Sequence, residues 1–409
     1  MFDILGFTSI ALVILLTLII ALRCPGIFKI IFVALIIRLI FLFIGHYITP
    51  LPDSTADAIT FNNAAGVLAK EGFYYIITNF NGPDVRWKNY QIISWIIAIP
   101  YSLLGTSLLM AKSISLLFGI GSVFLGWLVA NKMWNKSIAD KVGWTMALFP
   151  SFILYSVITM REPYIVFFII LALYGVVNWF KTENFRSIIL AITGFIGATM
   201  FHGAMFVGCI AFLGIIGLTS LKKFFKSLIL LRLNVKILFF LLFFVISSGF
   251  YLTSKITIPY LGSFEDSINI DLLLRKTNFA TRGDAAWPAW TIISSPIELF
   301  YKAPIRSLYV VYSPFPWDIS KLKHLIGMLD AFLYMYLTFL IYKNRKVIWK
   351  DPTLRIILII LLSYIFVFGI GVGNFGTGIR HRSKFAIMFI LLAAPLIKTF
   401  ILSKVTKKT

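Results

Sequence analysis

The sequence predicts an all-α integral membrane protein with about eleven transmembrane helices and additional juxtamembrane helices on the extracytoplasmic side. Three observations predict it. The 409 residues are 59 % hydrophobic and only 13 % charged, with a mean hydropathy of +0.92, whereas soluble domains are about a quarter charged. Apolar runs approaching the ~20 residues needed to cross a bilayer recur along the chain. Basic residues cluster in the short links between these runs, as they do on the cytoplasmic side of membrane proteins. The net charge of +22 therefore reports topology, and nucleic acid is not an expected partner. Cys24 and Cys209 lie in or beside apolar runs, and the histidines stand singly at 46, 202, 324 and 381, so there is neither a disulfide framework nor metal-ligand spacing.

In chain order the spans fall near 4–22, 27–47, 110–130, 142–159, 163–180, 187–202, 204–220, 236–253, 325–342, 355–372 and 384–402. The first, with no basic segment before it and no cleavage site after it, reads as a retained span. The links Arg23–Lys29, Lys132–Lys141, Lys181–Arg186, Lys222–Lys236 and Lys343–Arg355, and the tail from Lys398, are basic and belong in the cytoplasm. An odd number of spans then leaves the N-terminus outside and the C-terminus inside. Gln91–Leu104 is apolar but short, contains Pro100, and would reverse the charge pattern if it crossed. It reads as a juxtamembrane or re-entrant helix on the outer face.

The whole chain, 1–409, is thus expected to be one transmembrane domain of the cytoplasmic (inner) membrane, with outer loops 48–109 and 254–324 forming an extracytoplasmic cap. Aromatic and proline clusters in these loops, Phe73-Tyr74-Tyr75, Trp287-Pro288-Ala289-Trp290 and Pro314-Phe315-Pro316-Trp317, suit the headgroup level. Nearly all carboxylates fall outside. Orientation does not require that, so a chemically active outer face is the better explanation.

Candidate residues follow from that face. From Asp57, apolar residues Phe61, Ala64, Ala65 and Leu68 recur at helical spacing, placing Asp57 at the start of an outer helix. Glu162 stands at the outer end of a different span, just before Pro163. Two converging carboxylates can supply a general base and a charge or metal partner. The plainer alternatives are that Asp53 or Asp57 caps the helix and that Glu162 pairs with Arg161 or caps the helix that Pro163 begins. Arg38, mid-span, costs roughly 2.5–3.5 kcal/mol on insertion scales and must face the bundle interior or a polar cavity. Buried charge is otherwise expected to be almost absent, which argues against a transporter. His202, at an outer helix end beside Gly194, Gly197 and Gly203, is either a packed histidine or a substrate contact. Arg282 and Asp284 read as a local ion pair.

These residues resemble the GT-C superfamily of membrane glycosyltransferases that use polyprenyl-phosphate-linked sugars, including the protein O-mannosyltransferases of glycosyltransferase family 39 and the enzyme adding aminoarabinose to lipid A. An acid, an aromatic four residues on and then alanines in the first outer loop look like Asp57, Phe61, Ala64 and Ala65. Ser-x-x-x-(Asp/Glu)-Pro or a near variant in the second is similar to Ser156 through Glu162-Pro163. A lysine and a short apolar helix ending in Phe/Leu-Gly resemble Lys88 through Leu104-Gly105. The match covers about residues 30–180. Ala58 replaces the acidic neighbour common after the first acid, and the usual Pro-Pro after the lysine is missing. The Pro52-Asp53-Ser54 and Ala56-Asp57-Ala58 segments and Gly373-Asn374-Phe375-Gly376-Thr377-Gly378-Ile379-Arg380-His381-Arg382 also resemble membrane proteins of bacterial surface-polysaccharide assembly.

The resemblance implies a lipid-linked sugar donor and a glycan or lipid-linked glycan acceptor as partners, alongside membrane lipids. It implies Asp57 as the base, with Glu162, and Asp53 nearby, orienting it or sharing a divalent cation. A phosphate leaving group needs fixed positive charge, for which Lys88, Arg86, Arg161, Arg380, His381, Arg382 and Arg38 are candidates. Arg380 and Arg382 have the alternative of binding anionic headgroups. Two other functions stay open: a polymerase of lipid-linked repeat units relying on the Arg380–Arg382 region, and a non-enzymatic flippase.

Overall fold

The computed structural model describes residues 3–79, 92–229, 274–275, 285–319 and 322–398. Among them the chain is all-α, with sixteen helices and, outside them, a single β-bridge, Ala286 to Asn374. The helices are α1 (Ile4–Arg23), α2 (Phe28–Phe43), α3 (Asp57–Lys70), α4 (Phe73–Thr78), α5 (Ile92–Leu104), α6 (Leu108–Met133), α7 (Lys136–Leu148), α8 (Pro150–Ser156) and α9 (Glu162–Thr182). They continue with α10 (Phe185–Phe201), α11 (Phe206–Ile229), α12 (Pro296–Tyr312), α13 (Leu322–Lys350), α14 (Pro352–Gly371), α15 (Phe375–Ser383) and α16 (Ala386–Ala393).

Six of the expected spans are helices long and apolar enough to cross a membrane: α1, α2 with its flanking turns (Pro25–Ile48), α6, α9, the first part of α11 with the 3₁₀ turn before it (Gly203–Lys222) and α14. This is the architecture of a multi-pass membrane protein. Four others are described and differ. Segment 142–159 is not one helix: α7 stops at Leu148, Phe149 is extended (φ −69°, ψ 119°), and α8 starts at Pro150. Proline cannot donate the missing amide and forces the residue before it out of the helical region. α10 is a 17-residue helix, α16 gives way to a 3₁₀ turn at Ala394–Leu396, and α13 is long but more polar. Segment 236–253 lies outside the described residues.

Close helix contacts are set by small residues. A Cβ at Gly194 would lie 2.4 Å from the backbone nitrogen of Ala172, and one at Gly175 would lie 2.4 Å from that of Ala191. α9 and α10 therefore meet backbone to backbone, which only glycine permits.

The short apolar helix α5 does not run alone through the bundle but packs on α3. Ser94 donates to the Phe61 carbonyl at 3.0 Å, and the Tyr101 hydroxyl lies 2.7 Å from Asn62 Oδ1. Ile93, Trp95, Ile97 and Ala98 of α5 are buried with Phe61, Ala65 and Leu68 of α3. The apolar spacing after Asp57 is thus used as a packing face.

Part of the second long loop is fixed by Arg306 of α12, which is fully buried. Its guanidinium donates to the carbonyls of Thr291, Gly369, Ile370 and Val372 and stacks over Trp287 at 5.2 Å. It satisfies the carbonyls that the end of α14 leaves open. Trp287 N and Phe375 N then bond to Gly373 O and Ala285 O. These contacts hold the 372–375 linker, and hence the start of α15, in place.

Candidate functional site

Three helix ends meet at one point. Asp57 is the first residue of α3 and Glu162 the first of α9, so both carboxylates sit where exposed amides and the helix dipole favour negative charge. Arg380 lies in the last turn of α15, where positive charge is favoured. Asn374 caps the start of α15 by accepting from the Thr377 amide at 2.8 Å. Pro163 occupies the first turn of α9, as its missing N–H allows.

Arg380 joins the two acids. Its Nη1 donates to Asp57 Oδ2 at 2.6 Å and its Nε to Glu162 Oε1 at 2.9 Å. Its Nη2 makes no hydrogen bond among the described residues. Glu162 is 1 % exposed and is also approached by Lys384 Nζ at 3.5 Å and Arg161 Nε at 3.8 Å. The Asp57 side chain, by contrast, is 49 % exposed. Burial would lower the Arg380 pKa, but Glu162 and then Asp57 outweigh it and raise that pKa above its ordinary value, so the guanidinium is permanently charged.

Asp53 belongs to the same cluster. It adopts a left-handed conformation (φ 61°) and accepts from the Tyr155 hydroxyl at 2.9 Å. The residue is exposed as a whole, yet desolvation of its carboxyl group raises its pKa, against the opposing Tyr155 hydrogen bond and Arg380 charge. Neither Asp53 nor Asp57 provides a side-chain cap to α3, whose N-cap is Ala56.

Behind the acids lies a histidine and lysine pocket. Lys384 Nζ is 2.5 Å from His381 Nδ1, and the His381 ring packs against Phe368 and edge-on against His202 at 5.0 Å. Burial, reinforced by Lys384, holds His381 well below the usual histidine range, and burial likewise lowers Lys384 well below the usual lysine range against the opposing charge of Glu162, so the two side chains share a short hydrogen bond in a desolvated pocket. His202 contributes a packed ring here. Below Glu162 a cavity of about 20 Å³, room for roughly one water, is lined by Tyr155, Ser156, Ser122, Ser383 and Arg38. Glu162 Oε2 has no hydrogen-bond partner among the described residues.

Two of the arginines expected to hold phosphate are engaged with protein instead. Arg38 donates to Ala34, Met146 and Ala147 carbonyls, satisfying the end of α7 where Phe149 and Pro150 break the helix. Arg382 is 0 % exposed: it bonds Asp330 at 2.8 and 2.9 Å and the carbonyls of Val311, Ser313 and Gly327, and stacks over Tyr334. All its nitrogens meet protein oxygens, which leaves no donor for a ligand. Arg161, Arg380 and His381 surround Glu162 as described. Lys88, Arg86, Arg282 and Asp284 lie outside the described residues.

The expectation that buried charge is nearly limited to Arg38 is corrected. Lys112, Arg161, Glu162, Arg306, Asp330, Arg382 and Lys384 are buried as well, mostly in closed ion pairs or on backbone carbonyls. Lys384 and Asp330 are not among the residues that the sequence singles out. Lys384 follows Arg380 by four residues and so shares its helical face, and an acid inside the apolar run 325–342 is itself a signal.

The donor set fits a divalent cation poorly. Arg380 already stands between Asp57 and Glu162, two more basic groups face Glu162, and no group of three metal-ligating acids, histidines or cysteines occurs among the described residues. The arrangement suits an anion better. No known protein family, curated protein or solved structure matches the chain.

Proposed function

We propose that the protein is a GT-C-type membrane glycosyltransferase, moving a sugar or oligosaccharide from a polyprenyl (di)phosphate carrier to a glycan acceptor in bacterial surface-polysaccharide synthesis. The observation that carries this reading is the meeting of Asp57 and Glu162 on Arg380, with Arg161 and Lys384 beside them. The acceptor hydroxyl attacks the anomeric carbon, the bond from that carbon to the phosphate oxygen breaks, and the hydroxyl proton passes to Asp57. Arg380 and its basic neighbours stabilise the departing phosphate. Glu162 orients Arg380. In this reading the site faces the extracytoplasmic side of the inner membrane, with the N-terminus outside and the C-terminus inside.

Half-exposure suits Asp57 to meet a water-borne acceptor while the isoprenoid chain remains in lipid. A repeat-unit polymerase relying on His381 and Arg382 is less well supported, because both are enclosed by protein. The test is transfer from a labelled lipid-linked sugar by purified protein. Asp57→Asn removes the base and lowers the rate by about 10²- to 10⁴-fold with normal expression; unchanged transfer takes Asp57 out of the chemistry.

A further inference from the structure

The site contains its own competitor for an anion. Arg380 divides one guanidinium between two carboxylates of unlike character: Glu162, 1 % exposed, and Asp57, 49 % exposed. Removing Arg380 from Glu162 would take the closest cation, at 2.9 Å, from a buried charge, which is unfavourable. Removing it from Asp57 only hands a half-exposed carboxylate to water, and exposed ion pairs contribute little. The two bonds also use different nitrogens, Nε for Glu162 and Nη1 for Asp57. The Glu162 bond can therefore persist while the Nη1/Nη2 edge turns to a new partner. That edge is the flat, two-donor face that matches a phosphate.

We infer that Asp57 and the phosphodiester of an incoming lipid-linked sugar compete for the outer edge of Arg380, so that donor binding itself releases Asp57 from its ion pair. The inference rests on the transferase reading and adds a regulation to it. In the resting site the Asp57 carboxylate is occupied by Arg380 Nη1. An arriving phosphate takes Nη1 and Nη2, Arg380 stays anchored on Glu162, and Asp57 becomes free to accept the acceptor's proton. No bond is made or broken in this exchange. It ties activation of the base to the presence of the donor and keeps the site from deprotonating an acceptor without one. The exchange swaps one anion for another on Arg380, whose Glu162 bond stays in place while Asp57 passes to water.

The test is equilibrium binding of two probes to the purified full chain: a short-chain polyprenyl monophosphate in detergent, which is the leaving group of the transfer and carries the donor's phosphate, and inorganic phosphate. Competition predicts that Asp57→Asn, although inactive, binds phosphate more tightly, on the order of tenfold, which is about 1.4 kcal/mol. Asp57→Ser gives the same direction and guards against an effect peculiar to asparagine. Arg380→Gln weakens binding, and on that background Asp57→Asn no longer tightens it. Tightening with both probes shows that the phosphate group alone drives the exchange; tightening with the lipid only shows that the isoprenoid tail must seat it. Equal or weaker binding by folded Asp57→Asn and Asp57→Ser overturns the competition while leaving transferase activity standing. Failure of the folded wild-type chain to bind either probe removes both readings.

Discussion

Arg382 and Asp330 lie 52 positions apart and form an ion pair wholly inside the protein, with Tyr334 over the guanidinium. Taking one partner from such a pair leaves an unpaired buried charge, a cost of about 3–5 kcal/mol. Arg382→Ala and Asp330→Asn are thus expected to lower expression and the detergent melting temperature together. Loss of transfer with unchanged melting would instead place Arg382 in the chemistry. Arg380, two residues earlier, should behave in the opposite way. Arg380→Lys keeps the charge but not the two-edged geometry that bonds Glu162 and Asp57 at once, so it is expected to fold and to lose transfer. Wild-type rates in Arg380→Lys would mean that a point charge suffices. The difference between these neighbours is not written in their residue type. Both stand in one basic run, and only the packing of α13 against α15 encloses one and leaves the other at the acids.

Among the elements, α9 carries Glu162 and is held by its backbone contact with α10. A methyl group at Gly194 has no room, since the Ala172 backbone would stand 2.4 Å away. Gly194→Ala is predicted to destabilise by about 1–3 kcal/mol, the usual range for overpacking, and to reduce transfer by shifting Glu162. A melting curve superimposable on wild type would show that α9 and α10 can separate freely. The sequence makes some elements easy to read and conceals others. The start of α3 at Asp57 is legible because apolar residues follow at helical spacing, and α9 because proline favours a first turn. The break between α7 and α8 is signalled by Pro150, but the continuous apolar run around it reads as a single span. Lys384 was hidden in the same way: it opens an apolar run and passes for a flanking charge, while its role depends on α15 bringing it to a carboxylate 222 positions away.

At the scale of the whole molecule, the class is set by composition and the six long apolar helices. We propose their orientation from charge: with the basic links inside, Asp57 and α3 lie outside. With Cys24 and Cys209 replaced by serine, a cysteine at the exposed Lys70 position is expected to react with a membrane-impermeant maleimide on intact cells. One at the exposed Lys346 position should react only after permeabilisation. The reverse pattern would put the carboxylates in the cytoplasm. What charge and hydropathy could not provide is the convergence itself, because the start of α3, the start of α9 and the glycine-rich run before Arg380 are brought together only by tertiary packing.

That convergence is most directly tested by proximity in the native membrane. In the cysteine-free background, Asp57→Cys and Arg380→Cys are introduced together and treated with a short bifunctional thiol reagent, and the digest is read by mass spectrometry. A crosslink joining the two peptides, absent from each single variant, is the expected result. No crosslink, with each cysteine separately reactive toward a small thiol reagent, would contradict a shared pocket for Asp57 and Arg380.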